Sequence, residues 1–371
     1  MKKVITALKA FEVEGIGGIG AILKRKFNDN AMKQKARLRE VVEFRLRSHL
    51  LRPMVKHVCG PEEISYAPDE LLVTSVVRNG ELYVRSFIDH YLSMGVKHIA
   101  FLDNGSTDRT VEMLCAYDHI TVLQSAAPYE RYENTMKRYL AERFSSGRWN
   151  LCADIDELFD YPFSEVLTLR DFLRYLNENR YTAVIAQMLD MFADVPLAEL
   201  DSEPDDSIKE KYTYYDLSAV MQTDYLWSNN TNDKFKYHVG GIRKTVFGTN
   251  NGLTKAALVL MDGKVKTFIH WHQVENARLA DISCVLKHYP FVSSFYSKVQ
   301  EAVRSDRYGM WTTDEYKAYW SRLEQNPSLN LKLESAQILT ELEQLIKAEF
   351  LVVSEKYRCY SEKNRLAKGG N

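Results

Sequence analysis

Between residues 71 and 153, short apolar runs alternate with helical stretches, and that alternation limits the fold more than any other feature of the chain. Leu71–Val77 is a charge-free run of the kind buried on both faces in a parallel sheet. Residues 80–94 follow helical spacing, with Val84, Ile88, Tyr91 and Leu92 on one face and Gly95 closing the helix. His98–Asp103 reads as the next strand, followed by a helix to about 116 capped by Ser106 or Thr107. A third strand at 119–124, a helix over 132–146 and a fourth strand at 149–153 continue the pattern. This predicts an α/β domain with a mostly parallel sheet flanked by helices. In such sheets ligands bind beyond the carboxyl ends of the strands, so the residues just after each strand carry the functional expectation.

Composition removes several classes. The chain has 371 residues, 45% hydrophobic and 27% charged, which excludes wholesale disorder. Its net charge of −1 hides a basic N-terminus: residues 1–56 are net +9 and the remainder net −10. Val4, Leu8 and Phe11 fall at helical spacing and 31–50 is a second basic helical stretch, so the arm suits either the acidic body of its own chain or peripheral contact with an anionic membrane leaflet. Nucleic-acid binding is not expected, because the arm lacks interleaved aromatics. Five cysteines with no CxxC pair give no sign of a disulfide framework or zinc knuckle, and with no spanning apolar run a cytoplasmic location is expected. Gly15–Gly20 spells GxGxxG, yet no strand precedes it and none follows for fifty residues, so it reads as a hinge. The expected division is a basic helical arm over 1–69, a catalytic domain over 70–290 and a helical extension over 291–371, read as a cap without chemistry.

The strand ends are polar. Arg78-Asn79-Gly80-Glu81 follows the first strand, Asp103-Asn104-Gly105-Ser106-Thr107-Asp108 the second, and Asp154-Ile155-Asp156-Glu157 the fourth. Carboxylates gathered on one rim repel one another and recruit a cation. In an extended segment Asp154 and Asp156 would share a face while Ile155 turns to the core. Two acidic oxygens with open positions suit Mg²⁺ or Mn²⁺, which keep sites for phosphate oxygens.

With VVRNGELYVRSFIDHYLSMGVKHIAFLDNGSTDRT and WNLCADIDELF in hand, the chain resembles the nucleotide-sugar half of a GT-A glycosyltransferase of the family 2 type. MLDMFADVPL, GGIRKTVFG, LTKAALV and CVLKHYPFVSSFYSKVQEAV resemble a bacterial branch of it, so that the likeness spans about 70–320. The resemblance implies a GT-A, Rossmann-like nucleotide-diphospho-sugar transferase fold. It also implies an inverting, metal-dependent hexosyl transfer from a nucleoside diphosphate sugar, with UDP the expected nucleotide. The implied acceptor is a cell-surface polysaccharide, lipopolysaccharide or other glycan, free or lipid-linked. Arg78, Asn79 and Glu81 would lie against base or ribose; Asp103 would contact the nucleoside, with Asn104, Ser106 and Asp108 shaping its turn. Asp154 would contact ribose or donor sugar and share the Mn²⁺ or Mg²⁺ site with Asp156, its principal ligand. A later histidine would join them: His288 is preferred over His270 and His272. Asp190 is the expected catalytic base, ahead of Asp194, Glu199 and Asp201, while Lys255 or Arg243 would face the diphosphate. The alternatives are a non-catalytic nucleotide- or sugar-binding module and a Mg²⁺-dependent nucleotidyltransferase; RNGE lacks the Gly-rich, Lys-containing phosphate loop expected of the second.

Overall fold

The computed structural model describes residues 43–200, 208–225, 235–268, 273–304 and 310–369. Contacts divide the chain into two units, 1–50 and 51–371. Of the first, residues 43–50 are described, and they are helical. The Gly-rich segment, most of the basic arm, Asp201, His270 and His272 lie outside the described residues.

The second unit runs β1 (Val55–Cys59), β2 (Leu71–Val77), α1 (Glu81–Met94), β3 (His98–Asp103), α2 (Thr110–Leu114), β4 (Ile120–Ser125), α3 (Tyr129–Phe144), β5 (Trp149–Cys152), β6 (Glu157–Asp160), α4 (Leu169–Glu178) and β7 (Ala183–Asp190). It continues with α5 (Ile208–Lys211), β8 (Tyr214–Tyr215), β9 (Val220–Asp224), β10 (Lys236–Gly240), α6 (Ile242–Phe247), β11 (Thr254–Leu260), β12 (Leu279–His288), α7 (Phe295–Arg304), α8 (Met310–Gln325), β13 (Gln337–Ile338), α9 (Glu343–Lys347) and α10 (Glu355–Gly369).

Nine of the described strands form one sheet in the order β1-β4-β3-β2-β5-β11-β7-β12-β6. Six of them, β2, β3, β4, β5, β7 and β12, point one way, and β1, β6 and β11 run opposite. The expected α/β class with a mostly parallel, helix-flanked sheet is the class observed. β2 and β7 are buried at every position, which is why they read as unbroken apolar runs. Strand alternation then sorts the core. Leu71, Val73 and Val77 pack with Val84, Phe87 and Phe172 from α1 and α4, whereas Leu72 and Val76 pack with Met136 and Leu140 from α3. Gly95 ends α1 at φ 95°, its N–H returning to Leu92 and Tyr91 carbonyls. Thr168 and Asp171 cap α4 reciprocally.

Three expectations change. Residues 55–59 are not arm but the edge strand β1, antiparallel to β4; Val55 and Val58 suit a strand better than a helix. α2 starts later than expected, with Arg109 at its N-cap and no side-chain cap, because the Ser106 hydroxyl accepts the Asn79 N–H instead. Cys59 and Cys115 are joined in a disulfide that ties β1 to the end of α2. They lie 56 residues apart, and sequence distance says nothing about Cα proximity, here 5.9 Å. Cys152, Cys284 and Cys359 are free thiols. Among the described residues no helix is long and apolar enough to cross a membrane.

Topology places the functional rim. The parallel strands bring Val77, Asp103, Cys152, Asp190 and His288 to one edge of the sheet. The reversed strands β6 and β11 start at that edge with Glu157 and Thr254–Lys255.

Candidate functional site

The rim has two parts built on different chemistry. In the first, the turns after β2 and β3 hold one another by hydrogen bonds to backbone. Asp103 is fully buried; its carboxylate accepts the N–H groups of Gly105 (3.1 Å) and Ser106 (3.1 Å) and the Gln124 side-chain amide (2.9 Å). Asn104 donates to the Ser125 and Ala127 carbonyls. Asn79, at φ 50°, accepts the Thr107 N–H at 2.8 Å. Asp108 accepts from Glu81 N–H and Thr110, and Glu81 accepts from Arg109 N–H. Gly80 is required by close approach: a Cβ there would sit 2.7 Å from Val77 and 3.2 Å from Ile155. The residues expected at base and ribose are thus assembled together, with Arg78 exposed. Asp103, expected at the nucleoside, is buried here and shapes its own turn.

In the second part, charges meet charges. Residues 154–157 are not extended as expected. Glu157 N–H returns to the Asp154 carbonyl at 2.9 Å and the Glu157 carboxylate takes the Asp154 N–H at 3.0 Å, a turn that splays the two aspartates onto different partners. Asp154 receives the Lys137 ammonium at 2.8 Å on one oxygen and Lys255 at 3.1 Å on the other. Lys137 also bonds Glu133 (3.0 Å) one turn earlier on α3, and Lys255 also bonds the buried Glu157. Asp156 stands 3.7 Å from His288 Nε2 and 3.6 Å from the Lys298 ammonium of α7. Asp190 is only 5% exposed; Arg243 donates to one of its oxygens at 2.8 Å and His288 Nδ1 meets the other at 2.6 Å.

This pairing fixes the charges. Burial alone would raise Asp154, but Lys137 and Lys255 outweigh it and hold the carboxyl well below its usual range. Asp156 is held low against burial by Lys298 and His288, and Asp190 by Arg243 and His288. Burial would lower His288, yet the flanking Asp156 and Asp190 push it up to about 9. Burial pushes Glu157 up.

Both oxygens of Asp190, the expected base, are engaged by Arg243 and His288. Lys255 and Arg243, expected at the diphosphate, pair with Asp154 and Asp190. Asp194 lies in a partly exposed ion pair with Lys332, away from the web. Glu133, Lys137 and Lys298 were not expected. A sequence signal existed for the first two: Glu133 and Lys137 fall in the stripe of Met136, Leu140 and Phe144, where a solvated helix would carry no charge.

The donor set can be tested against a divalent ion. An aspartate oxygen and an imidazole nitrogen aimed at common space, with the far ring nitrogen braced by Asp190, is a pair that Mn²⁺ or Mg²⁺ accepts. The proton His288 carries between two carboxylates marks a place where positive charge is favoured. Asp156 and His288 therefore fit; Asp154 does not, both oxygens being held by lysines. Among the described residues no group of three or more His, Cys, Asp or Glu is arranged to hold a metal, so the remaining ligands would come from substrate and water.

No family model and no curated protein matches the sequence. Among solved structures, a mannosyltransferase from Pyrobaculum calidifontis in complex with GDP-Man and Mn²⁺ is 16% identical, TM-score 0.25; the match covers 40% of this chain and 42% of that one, under half its length. A 4-diphosphocytidyl-2C-methyl-D-erythritol synthase is 10% identical over 53% of this chain and 75% of that chain, TM-score 0.25. HddC from Yersinia pseudotuberculosis is 7% identical over 62% and 96%, TM-score 0.29. TM-scores this low carry no argument about what this chain does.

Proposed function

We propose that the chain is a divalent-metal-assisted transferase of the GT-A type, moving a sugar from a nucleoside diphosphate, UDP first among the candidates, to a glycan acceptor. The observation that carries the reading is the convergence of Asp154, Asp156, Asp190 and His288 with Lys137, Lys255, Lys298 and Arg243 at the carboxyl ends of β5, β7 and β12. In this reading Asp156 and His288 would hold the ion, which when bound supplies positive charge to the diphosphate. Lys298, the ammonium nearest Asp156, faces the leaving phosphates. Lys137 and Lys255 lock Asp154 and keep it ionised. Asp190 acts through His288, fixing its ring and basicity, rather than as the base. The Asn79–Asp108 turns form the nucleoside floor.

Calorimetric titration of UDP, GDP, ADP and CMP, each with Mn²⁺ and with EDTA, tests this on wild type and Asp156→Ala. One nucleoside diphosphate should bind only with metal, and about 100-fold more weakly in the variant, the cost of a lost charged ligand. No binding in any condition removes the reading. Release of pyrophosphate from a nucleoside triphosphate would replace it with nucleotidyl transfer.

A further inference from the structure

A cavity of about 580 Å³ lies beyond the site, walled by the loop after β6, the ends of β7 and β12, and the C-terminal segment of β13, α9 and α10. Lys287 and Tyr289 line it, while His288 between them points the other way, to Asp190. Strand alternation therefore sets the cavity and the rim on opposite faces of one strand end. The residues expected to be a cap without chemistry make up roughly half its wall.

We propose that this cavity binds an uncharged saccharide. Its volume falls within the usual range for small-ligand sites. Its charges offer no ion a preference: four basic and five acidic side chains line it, and several are already spent on one another, Lys287 on Asp160 at 3.0 Å and Arg358 on Glu343 at 3.9 Å. What remains is a mixture of donors and acceptors beside the apolar lining of Val166, Leu342 and Ile346. Hydroxyl groups, which donate and accept at once, match such a wall, and the apolar face of a sugar ring matches its apolar residues. The wall is pre-formed. Phe163 holds φ 64°, a conformation unfavourable for an aromatic residue, with its ring stacked on Tyr357 at 5.8 Å and the Arg358 guanidinium 5.6 Å above its centroid. The Phe163 ring and Glu343 together hold the Arg358 guanidinium at the cavity wall.

The site extends the transferase reading by supplying a second hold on a glycan, but its test is separate. Saturation-transfer NMR with glucose, galactose, maltose, lactose and glucuronate would be run on the full chain and on Arg358→Ala and Thr340→Trp, the second adding bulk at an exposed position of the wall. Melting curves and the Mn²⁺–UDP titration serve as controls. The expected result is binding of at least one uncharged sugar, weakened about tenfold or more in both variants, as for loss of a charged hydrogen bond. Mn²⁺–UDP binding should be unchanged. No uncharged sugar binding, preference for glucuronate alone, or binding indifferent to both variants overturns the proposal. Sugar binding without nucleotide binding would overturn the transferase reading and leave the cavity standing.

Discussion

The two halves of the rim use carboxylates in opposite ways. Around Asn79–Asp108, Asp103, Asp108 and Glu81 accept backbone N–H groups and thereby hold loops. Around Asp154–His288 the acids accept ammonium, guanidinium and imidazole groups and thereby hold charge. A carboxylate on backbone amides stiffens a turn and stays there. A carboxylate that meets its cations at longer range, as Asp156 meets His288 at 3.7 Å and Lys298 at 3.6 Å, can exchange them for a metal, whereas Asp154 is held by two lysines at 2.8 and 3.1 Å. The first half serves shape, the second electrostatics.

The largest break in this contrast should come from Arg243→Ala, which takes away one of the two cationic partners of the buried Asp190; denaturant unfolding should show a loss of about 3 kcal/mol. Reducing the Cys59–Cys115 bridge, or Cys115→Ser, loosens the seam between β1 and α2, away from the charged half. It should cost on the order of 2–4 kcal/mol for a loop of 56 residues, with metal affinity unaltered. His98, at the start of β3 and so at the sheet edge away from the rim, gives a test by pH that touches neither half. Burial holds it neutral with a pKa lowered to about 4, against 6.5 when unfolded. The unfolded chain therefore binds the extra proton between those values. Stability is full above pH 6.5, falls as pH drops toward 4 by at most ~3 kcal/mol, and levels off below; His98→Gln should flatten that slope in unfolding curves recorded against pH. Smallest is Asp103→Asn, which weakens two backbone hydrogen bonds. It should cost about 1–2 kcal/mol in thermal unfolding while leaving metal binding intact.

How much of this was legible in the sequence follows the same line. The alternation that gave β2, α1, β3, β4, α3 and β5 is a local signal, because strands buried on both faces need unbroken apolar runs. The pairing of Asp156 with His288 was also reachable, since the resemblance named both for one metal site. What could not be read was anything decided by partners far along the chain. β1 is a strand because β4 leaves it an edge; the cysteine pair closes only once α2 lies beside β1. Asp190 looked like a free acid until Arg243, 53 residues later, came to rest on it. The turn at 154–157 reversed the expected shared face of the two aspartates because Glu157 caps Asp154, a contact that the acid-rich spelling does not announce.

The central claim is that Asp156 and His288, and not Asp154, form the protein's share of a metal site. The direct measurement is Mn²⁺ binding by electron paramagnetic resonance, with and without UDP, on wild type, Asp154→Asn, Asp156→Asn and His288→Ala. Affinity should fall about 100-fold in the last two and by less than about tenfold in Asp154→Asn. An equal, steep loss in Asp154→Asn, or undiminished binding in His288→Ala, would contradict it.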